Sequence, residues 1–496
     1  MTERTLLITD RKGALPLMGS MTQRAAALLA TLSLLACGAT DRPSEGATGA
    51  DSGSPRTAAP AGATRGAPGI GDPDFPLDGN GGYDVAHYAL KIGYVPESKH
   101  LDGEATIRAT ATQSLSRFNL DLRGFEVSGV SVDGAAATFS REGDELSVTP
   151  ARPLARGAAF AVKVTYSGVP QPVRGSSNLG SYGFIPTGDG AFVACEPNGA
   201  RTWFPANDHP ADKATFDFEI TVPAGVTVLA NGELVSREPA AGGGTTFSWR
   251  ESHPMVTYLA TATMGEFQLR EGRTPGGIRN LAAVDPRFAG ELGDLYTRSG
   301  QITDHWVTVF GPYPFSSTGG VVDDFSAGYA LENQTKPMYG GFRPDQSIIA
   351  HELAHQWFGN SLSIERWEDL WLNEGFATYA EWLWTEHTGG DTADERFRAG
   401  HDRPAGDPIW SYPPGDARPD DLFNESVYLR GAMTLHALRE KIGDDTFFRL
   451  LKTWTAEHEH GSVTTEEFTA LAERLSGKQL DSLFDAWLFQ PRRPAA

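Results

Sequence analysis

His351-Glu352-Leu353-Ala354-His355 places two imidazoles four residues apart, with an acid directly after the first. On a helix, residues four apart lie on one face a turn apart, so both rings can converge on one cation. Glu352 is offset around that helix and can reach a metal-held water instead of the metal. Imidazole nitrogens suit Zn²⁺, and a catalytic zinc takes three protein ligands and keeps one position open. The third ligand is expected to be an acid on a neighbouring helix. Glu374 meets that need in Trp371-Leu372-Asn373-Glu374-Gly375, after eighteen intervening residues. The chemistry would be hydrolytic: zinc acidifies its water and polarises a carbonyl, and the Glu352 carboxylate takes the proton.

The chain that must hold these residues has 496 of them, too many for one ordinary core. Hydrophobic residues are 40% and charged residues 21%, a globular balance. Asp plus Glu number 63 and Lys plus Arg 42, a formal charge of −21 that argues against a nucleic-acid partner. From Tyr83 to about Phe267 the pattern has period two, clearest from Ala105 to Thr112 and in Val127–Val132, Ala161–Tyr166 and Phe216–Val222. Asp133-Gly134 and Asn231-Gly232 supply turn chemistry between strands. This predicts an antiparallel, sandwich-like β domain over 73–268. The texture then changes, and helices are expected at Glu291–Phe310, Gln346–Phe358, Leu370–Glu386, Ser426–Ile442 and Thr465–Leu475. The second domain, 269–496, is therefore expected to be mainly helical, giving an α+β chain of two domains.

The N-terminus has its own logic. Ala25–Ala36 is a short apolar stretch behind Arg24 that ends in small residues before Cys37. A basic flank and a short apolar run indicate a secretory signal, too short to span a bilayer. Residues 1–36 are read as that signal, with Met21 as the expected start. Leu34-Leu35-Ala36-Cys37 also resembles a bacterial lipobox, which would make Cys37 a lipid attachment point; the plainer alternative is an exported thiol. The protein is then expected outside the cytoplasm, anchored to the cell envelope, or secreted if Cys37 stays free. Residues 37–72 are mostly Gly, Ala, Ser, Thr and Pro and are expected to form a flexible tether.

The stretches HELAHQWFGN and WLNEGFA resemble the gluzincin zinc aminopeptidases of the aminopeptidase N and leukotriene hydrolase type. The resemblance extends over most of residues 80–490, through YDVAHY, RTWFPANDHPADKATF (Arg201–Phe216) and FGPYPF (Phe310–Phe315). It implies a thermolysin-like catalytic domain and one zinc ion per chain. His351, His355 and Glu374 would be the ligands and Glu352 the general base. Tyr428, in Tyr428-Leu429-Arg430-Gly431-Ala432, matches the tyrosine of the family's YxKGA motif, which donates to the tetrahedral oxyanion; Arg430 stands where lysine is usual.

The same resemblance implies how a peptide end is chosen. Glu332 and Asn333, in Tyr329-Ala330-Leu331-Glu332-Asn333, match the end of the family's GAMEN motif, and Glu196 matches an acid or amide contributed by the β domain. Two carboxylates there would hold a free α-ammonium and exclude acylated termini. Leu331 replaces the usual Met, and Tyr329 occupies the position of the first Gly, with Gly328 one place earlier. Glu381 is either a partner to a ligand or an exposed acid. Cys195 reads as a small packing residue, and Trp357, Trp367, Trp371, Trp382 and Trp384 as core first and pocket wall second. The length after Tyr428 suggests the short two-domain form with a more open cleft. The expected function is removal of N-terminal residues from peptides. A zinc endopeptidase of the same fold, and a non-catalytic peptide-binding lipoprotein, are the alternatives.

Overall fold

The computed structural model of the protein describes residues 62–175 and 180–495. The apolar stretch before Cys37, Cys37 itself, Met21 and tether residues 37–61 lie outside the described residues.

The period-two region folds into β structure, as the alternation requires, but in three sheets. The largest has eight strands in the order Glu233–Pro239, Thr245–Val256, Lys213–Val222, Tyr83–Val95, His100–Ala111, Ala159–Gly168, Glu126–Val132 and Ala135–Ala136. Its neighbours are antiparallel with one exception. Lys213–Val222 runs parallel to Tyr83–Val95, so the expected antiparallel sheet is mixed. Along Tyr83–Val95 the side chains of Tyr88, Leu90, Ile92 and Tyr94 are buried while those between them are half-buried or exposed. Each such burial contributes roughly 1.5–3 kcal/mol. Register places Tyr88 opposite Phe216, and their rings stack at 4.8 Å. A four-stranded sheet built on Leu115–Asp121 and a five-stranded one built on Ala191–Ala194 complete the domain.

Of the two expected turns, Asp133-Gly134 closes a two-residue hairpin with both φ angles positive (50° and 76°), the conformation that right-handed strand twist favours. Asn231-Gly232 does something else. The strands flanking it, Thr227–Ala230 and Glu233–Pro239, belong to different sheets. Asn231 Nδ2 donates to the carbonyls of Leu259 (2.9 Å) and Gln334 (2.8 Å), and Gly232 N donates to Thr335 Oγ1 (2.7 Å). This pair ties the β domain to the catalytic half.

The second half is not simply helical. It opens with a five-stranded sheet ordered Gln268–Arg273, Arg279–Val284, Ser317–Asp323, Met338–Gly340 and Ala330–Leu331. Helices follow: α1 (Leu292–Phe310), α2 (Gln346–Ala354), α3 (Trp371–His387), α4 (Ala393–His401), α5 (Gly431–Ile442), α6 (Asp444–Glu457), α7 (Thr465–Ser476) and α8 (Asp481–Phe484). Helices α4, α6 and α8 were not expected from the sequence. Asp345 starts α2 by accepting from the amides of Ser347 (2.9 Å) and Ile348 (3.1 Å). That helix ends four residues earlier than its apolar run suggests, because residues 355–358 tighten into turns.

The tether is shorter than its composition suggests. The chain is already packed by Thr64–Arg65, which pair with Leu115–Asp121. Asp72 is buried, with Oδ2 accepting from Trp367 N (3.1 Å) and facing His209 Nε2 (3.2 Å). Phe75 lies against the Trp367 ring at 5.6 Å. Residues 64–82 therefore belong to the folded body, where they bridge β domain and catalytic half. Lys213 reinforces that junction: its Nζ donates to the carbonyls of Asn360 (2.9 Å), Ser361 (2.7 Å) and Gly461 (3.2 Å).

Candidate active site

Helix α2 carries His351, His355 caps its C-terminal end, and α3 brings Glu374 across to them. His351 Nε2 lies 3.2 Å from Glu374 Oε2, and His355 Nε2 lies 3.5 Å from the same oxygen. The three donor atoms lie within 4.8 Å of one another, and all three residues are buried. The other ring nitrogens are already engaged: His351 Nδ1 with Glu381 Oε1 (2.7 Å) and His355 Nδ1 with the Phe358 carbonyl (3.0 Å). Outer partners of this kind orient metal-binding imidazoles and leave Nε2 free to ligate. Two neutral imidazoles and one carboxylate, so oriented, fit a zinc ion with an open position. Of the two readings of Glu381, the partner to a ligand is what the structure places. Until a metal binds, burial by itself would raise the Glu374 carboxyl, but His355 and His351 in their protonated forms outweigh it and hold it at about 2.

Glycine sets the spacing of the next element. A Cβ on Gly375 would lie 2.9 Å from the Gly431 Cα, so α3 and the start of α5 touch backbone to backbone. The residue beside the acid ligand thereby meets the residue three after Tyr428. Tyr428 occupies a single turn of π-helix, Ser426–Arg430, and its half-buried ring stacks over His351 with centroids 6.2 Å apart and planes at 20°. Burial first, then the carboxylates of Glu374, Glu196, Glu332 and Glu352, raise its hydroxyl far above the ordinary tyrosine range. It stays a protonated donor.

Glu352 is 4% exposed. Burial lifts its carboxyl to about 8, with His351 and His355 opposing the shift only in part. One donor atom each from Glu332, Glu352 and His355 also lie within 4.8 Å of one another, so the acid of the expected amine site sits beside the expected base. Glu332 Oε1 accepts from Tyr258 Oη at 3.1 Å, while its main-chain carbonyl accepts from Gln356 Nε2 (3.0 Å) and Asn360 Nδ2 (2.8 Å). Glu196 comes from the β domain and is buried; its Oε1 has no hydrogen-bond partner. Burial, then the charges of Glu332, Glu374 and Glu352, raise its carboxyl. No cation lies within ion-pairing distance of Glu196 or Glu332 among the described residues. Two buried carboxyl groups of raised proton affinity thus lie near the three candidate metal ligands.

Other expected residues settle differently. Asn333 is fully buried; its Nδ2 donates to the Leu259 carbonyl (2.9 Å), which ties the loop to the β domain, and its Oδ1 has no hydrogen-bond partner. Tyr329 crosses to the β domain, where its hydroxyl donates to the Ser181 carbonyl (2.9 Å). Gly328, at φ 79°, supplies the left-handed turn that lets it do so. Cys195 is a buried free thiol, raised by burial and so unreactive. Trp357, Trp367 and Trp371 are fully buried core. Tyr258 is the site residue that sequence reading missed, since no local motif marks it.

Two family profiles match this chain: the "Peptidase M1 N-terminal domain" over residues 85–259 and the "Peptidase family M1 domain" over residues 342–487. Aminopeptidase M1 of Arabidopsis thaliana is 30% identical over 336 residues, covering 61% of this chain and 37% of that protein. The chain thus spans little more than a third of the length of that curated relative. Among solved structures, the M1 zinc metallopeptidase from Deinococcus radiodurans is 30% identical with a TM-score of 0.79, covering 86% of this chain and 98% of that one. A mutant of the same enzyme, described as bound to a Tyr-Ser-Ala substrate, superposes with a TM-score of 0.77 at 28% identity, covering 86% and 99%.

Proposed function

The chain belongs to the M1 peptidase family, and we propose that it is a zinc-dependent aminopeptidase that removes N-terminal residues from peptides. The observation that carries the reading is the pair of buried carboxyl groups, Glu332 within reach of His355 and Glu196 within the field of Glu332 and Glu374, near the His351, His355 and Glu374 set. The likeness to a metallopeptidase described with a tripeptide substrate supports it. When held by the three ligands, zinc supplies Lewis acidity towards water and the scissile carbonyl.

The residues divide the remaining work. A peptide's α-ammonium pairs with Glu196 and Glu332, which sets the first residue's carbonyl at a fixed distance from the anchor. Their raised proton affinity falls once that cation arrives, because an adjacent positive charge favours the ionised form. Glu352 accepts the proton of the attacking water and returns it to the departing nitrogen. Tyr428, kept protonated, donates to the oxygen that becomes negative in the tetrahedral state. Acetylation of the terminus removes the charge and adds bulk where the two carboxylates wait.

The test is substitution of the two anchors. Glu196→Gln and Glu332→Gln are each expected to raise KM for free-amine substrates roughly 10-fold or more, the loss of a charge-assisted bond. Unchanged KM in both would remove the amine site.

We also propose export and lipid attachment through Cys37. The support is the sequence alone: Arg24, the apolar run Ala25–Ala36 and the small residues before the cysteine. No helix among the described residues is long and apolar enough to cross a membrane. Envelope fractionation of wild type and Cys37→Ser tests this; identical partitioning of both would count against it.

A further inference from the structure

Arg430 is among the largest side chains fully buried in the protein, and all its hydrogen-bond partners are main-chain carbonyls. Its Nε donates to Trp487 O (2.8 Å). One terminal nitrogen donates to Trp410 O (3.1 Å) and Tyr412 O (3.4 Å), the other to Ala486 O (3.1 Å) and Gln490 O (2.6 Å). A guanidinium has five N–H donors, and here each has a carbonyl. The Trp410, Ala486 and Trp487 carbonyls lie in the last turns of Pro408–Trp410 and Asp485–Phe489, where oxygens lack intrahelical partners, and those of Tyr412 and Gln490 follow just beyond. Burial pulls the guanidinium down to about 10, which still leaves it charged at neutral pH.

The position of this hub matters more than its stability. Arg430 is the last residue of the π turn whose third residue is Tyr428. Ser426, the first residue, is fastened to the same loop, its Oγ donating to Tyr412 O at 2.6 Å. Both ends of the turn are thus tied to one outer frame, and Gly431 is held against Gly375 on the inner side. A π turn is a rare departure from α-helical bonding and is frequent at functional sites. Relaxation to α-helical bonding would change the direction of Tyr428 relative to His351.

We propose that Arg430 is a positioning residue for Tyr428: by gathering the carbonyls of the 410–412 and 486–490 segments it holds the π turn that aims the tyrosine at the metal site. A lysine there has three donors on a flexible stem and could satisfy only part of the frame. The proposal rests on the aminopeptidase reading, since Tyr428 has its role only there.

The test uses the full zinc-loaded chain and four variants: Tyr428→Phe, Arg430→Lys, Arg430→Met and Tyr428→Phe/Arg430→Lys. kcat and KM on an aminoacyl anilide are measured, with calorimetric affinity for a phosphonate dipeptide that mimics the tetrahedral state. Arg430→Lys is expected to lower kcat roughly 3–10-fold and Arg430→Met roughly 10–100-fold, with KM moving less than about twofold. Phosphonate affinity should fall in parallel with kcat. In the Tyr428→Phe background, Arg430→Lys should cost less than about twofold, because the group it positions is already gone. Arg430→Lys keeps the test alive if the methionine variant does not fold. Equal losses in both backgrounds, or an effect confined to KM, would overturn the role of Arg430 and leave the aminopeptidase reading intact. Unchanged kcat in Tyr428→Phe would remove the tyrosine's role and this proposal with it.

Discussion

Oε1 of Glu381 lies 2.7 Å from Nδ1 of His351, and the other Glu381 oxygen accepts from Ser347 Oγ at 2.8 Å. The carboxylate therefore sets both the tautomer and the ring angle of a metal ligand from one helical face of α3, two turns beyond Glu374. Glu381→Ala is expected to lower zinc affinity roughly 10–100-fold, the usual effect of losing such an outer partner. Chelator competition measures it. Zinc retention equal to wild type would make Glu381 a bystander.

Glu352 gives a pH dependence with a definite sign. A base must be deprotonated to accept a proton, so activity rises with pH through its pKa. Burial pushes that carboxyl from 4.5 up to about 8, and a zinc cation would draw it back down. The acid limb of kcat/KM should fall between those two values and should vanish with activity in Glu352→Gln. A limb at or below 4.5 would contradict burial as the dominant influence on this group.

Asp72 tests the N-terminal bridge. Burial would raise its carboxyl, but the bonds from His209 and from the amides of Trp367, Asp74 and Phe75 prevail and lower it from 3.8 to about 2. A depressed folded pKa contributes stability above the unfolded value and loses it as pH falls through the folded one. Asp72→Asn should therefore cost about 2 kcal/mol at neutral pH, at 1.36 kcal/mol per unit, and the gap should close as pH drops from about 4 to 2. Denaturant melts across that range would show it; a gap independent of pH would assign the bonds to shape alone.

Which parts of this molecule could be read from sequence follows from how local their causes are. The metal helix was legible because its residues are four apart on one face, and the strands because alternate side chains face one core. The catalytic-half sheet was not. Ser317–Asp323 is buried on both faces and shows no alternation, while Ala330–Leu331 and Met338–Gly340 are too short to carry a pattern. Residues 64–72 have a tether's composition, yet Asp72 docks because its partners His209 and Trp367 lie 137 and 295 positions away. Tyr258 reaches Glu332 across 74 positions. The contact of Asn333 Nδ2 with the Leu259 carbonyl likewise joins segments 74 positions apart. The docking of Asp72 and the reach of Tyr258 are contacts between distant segments, which no local pattern carries.

The central claim is that two buried carboxylates select a free amine beside a hydrolytic metal site. It is tested most directly by a panel of aminoacyl anilides, each with and without N-acetylation, cleaved by wild type and by Glu352→Gln. Wild type should release product from the free amines only, in a chelator-sensitive reaction, and Glu352→Gln should lose roughly 10³-fold or more while retaining zinc. Comparable cleavage of acetylated substrates would make the enzyme an endopeptidase of the same fold. Activity surviving Glu352→Gln would contradict the mechanism itself.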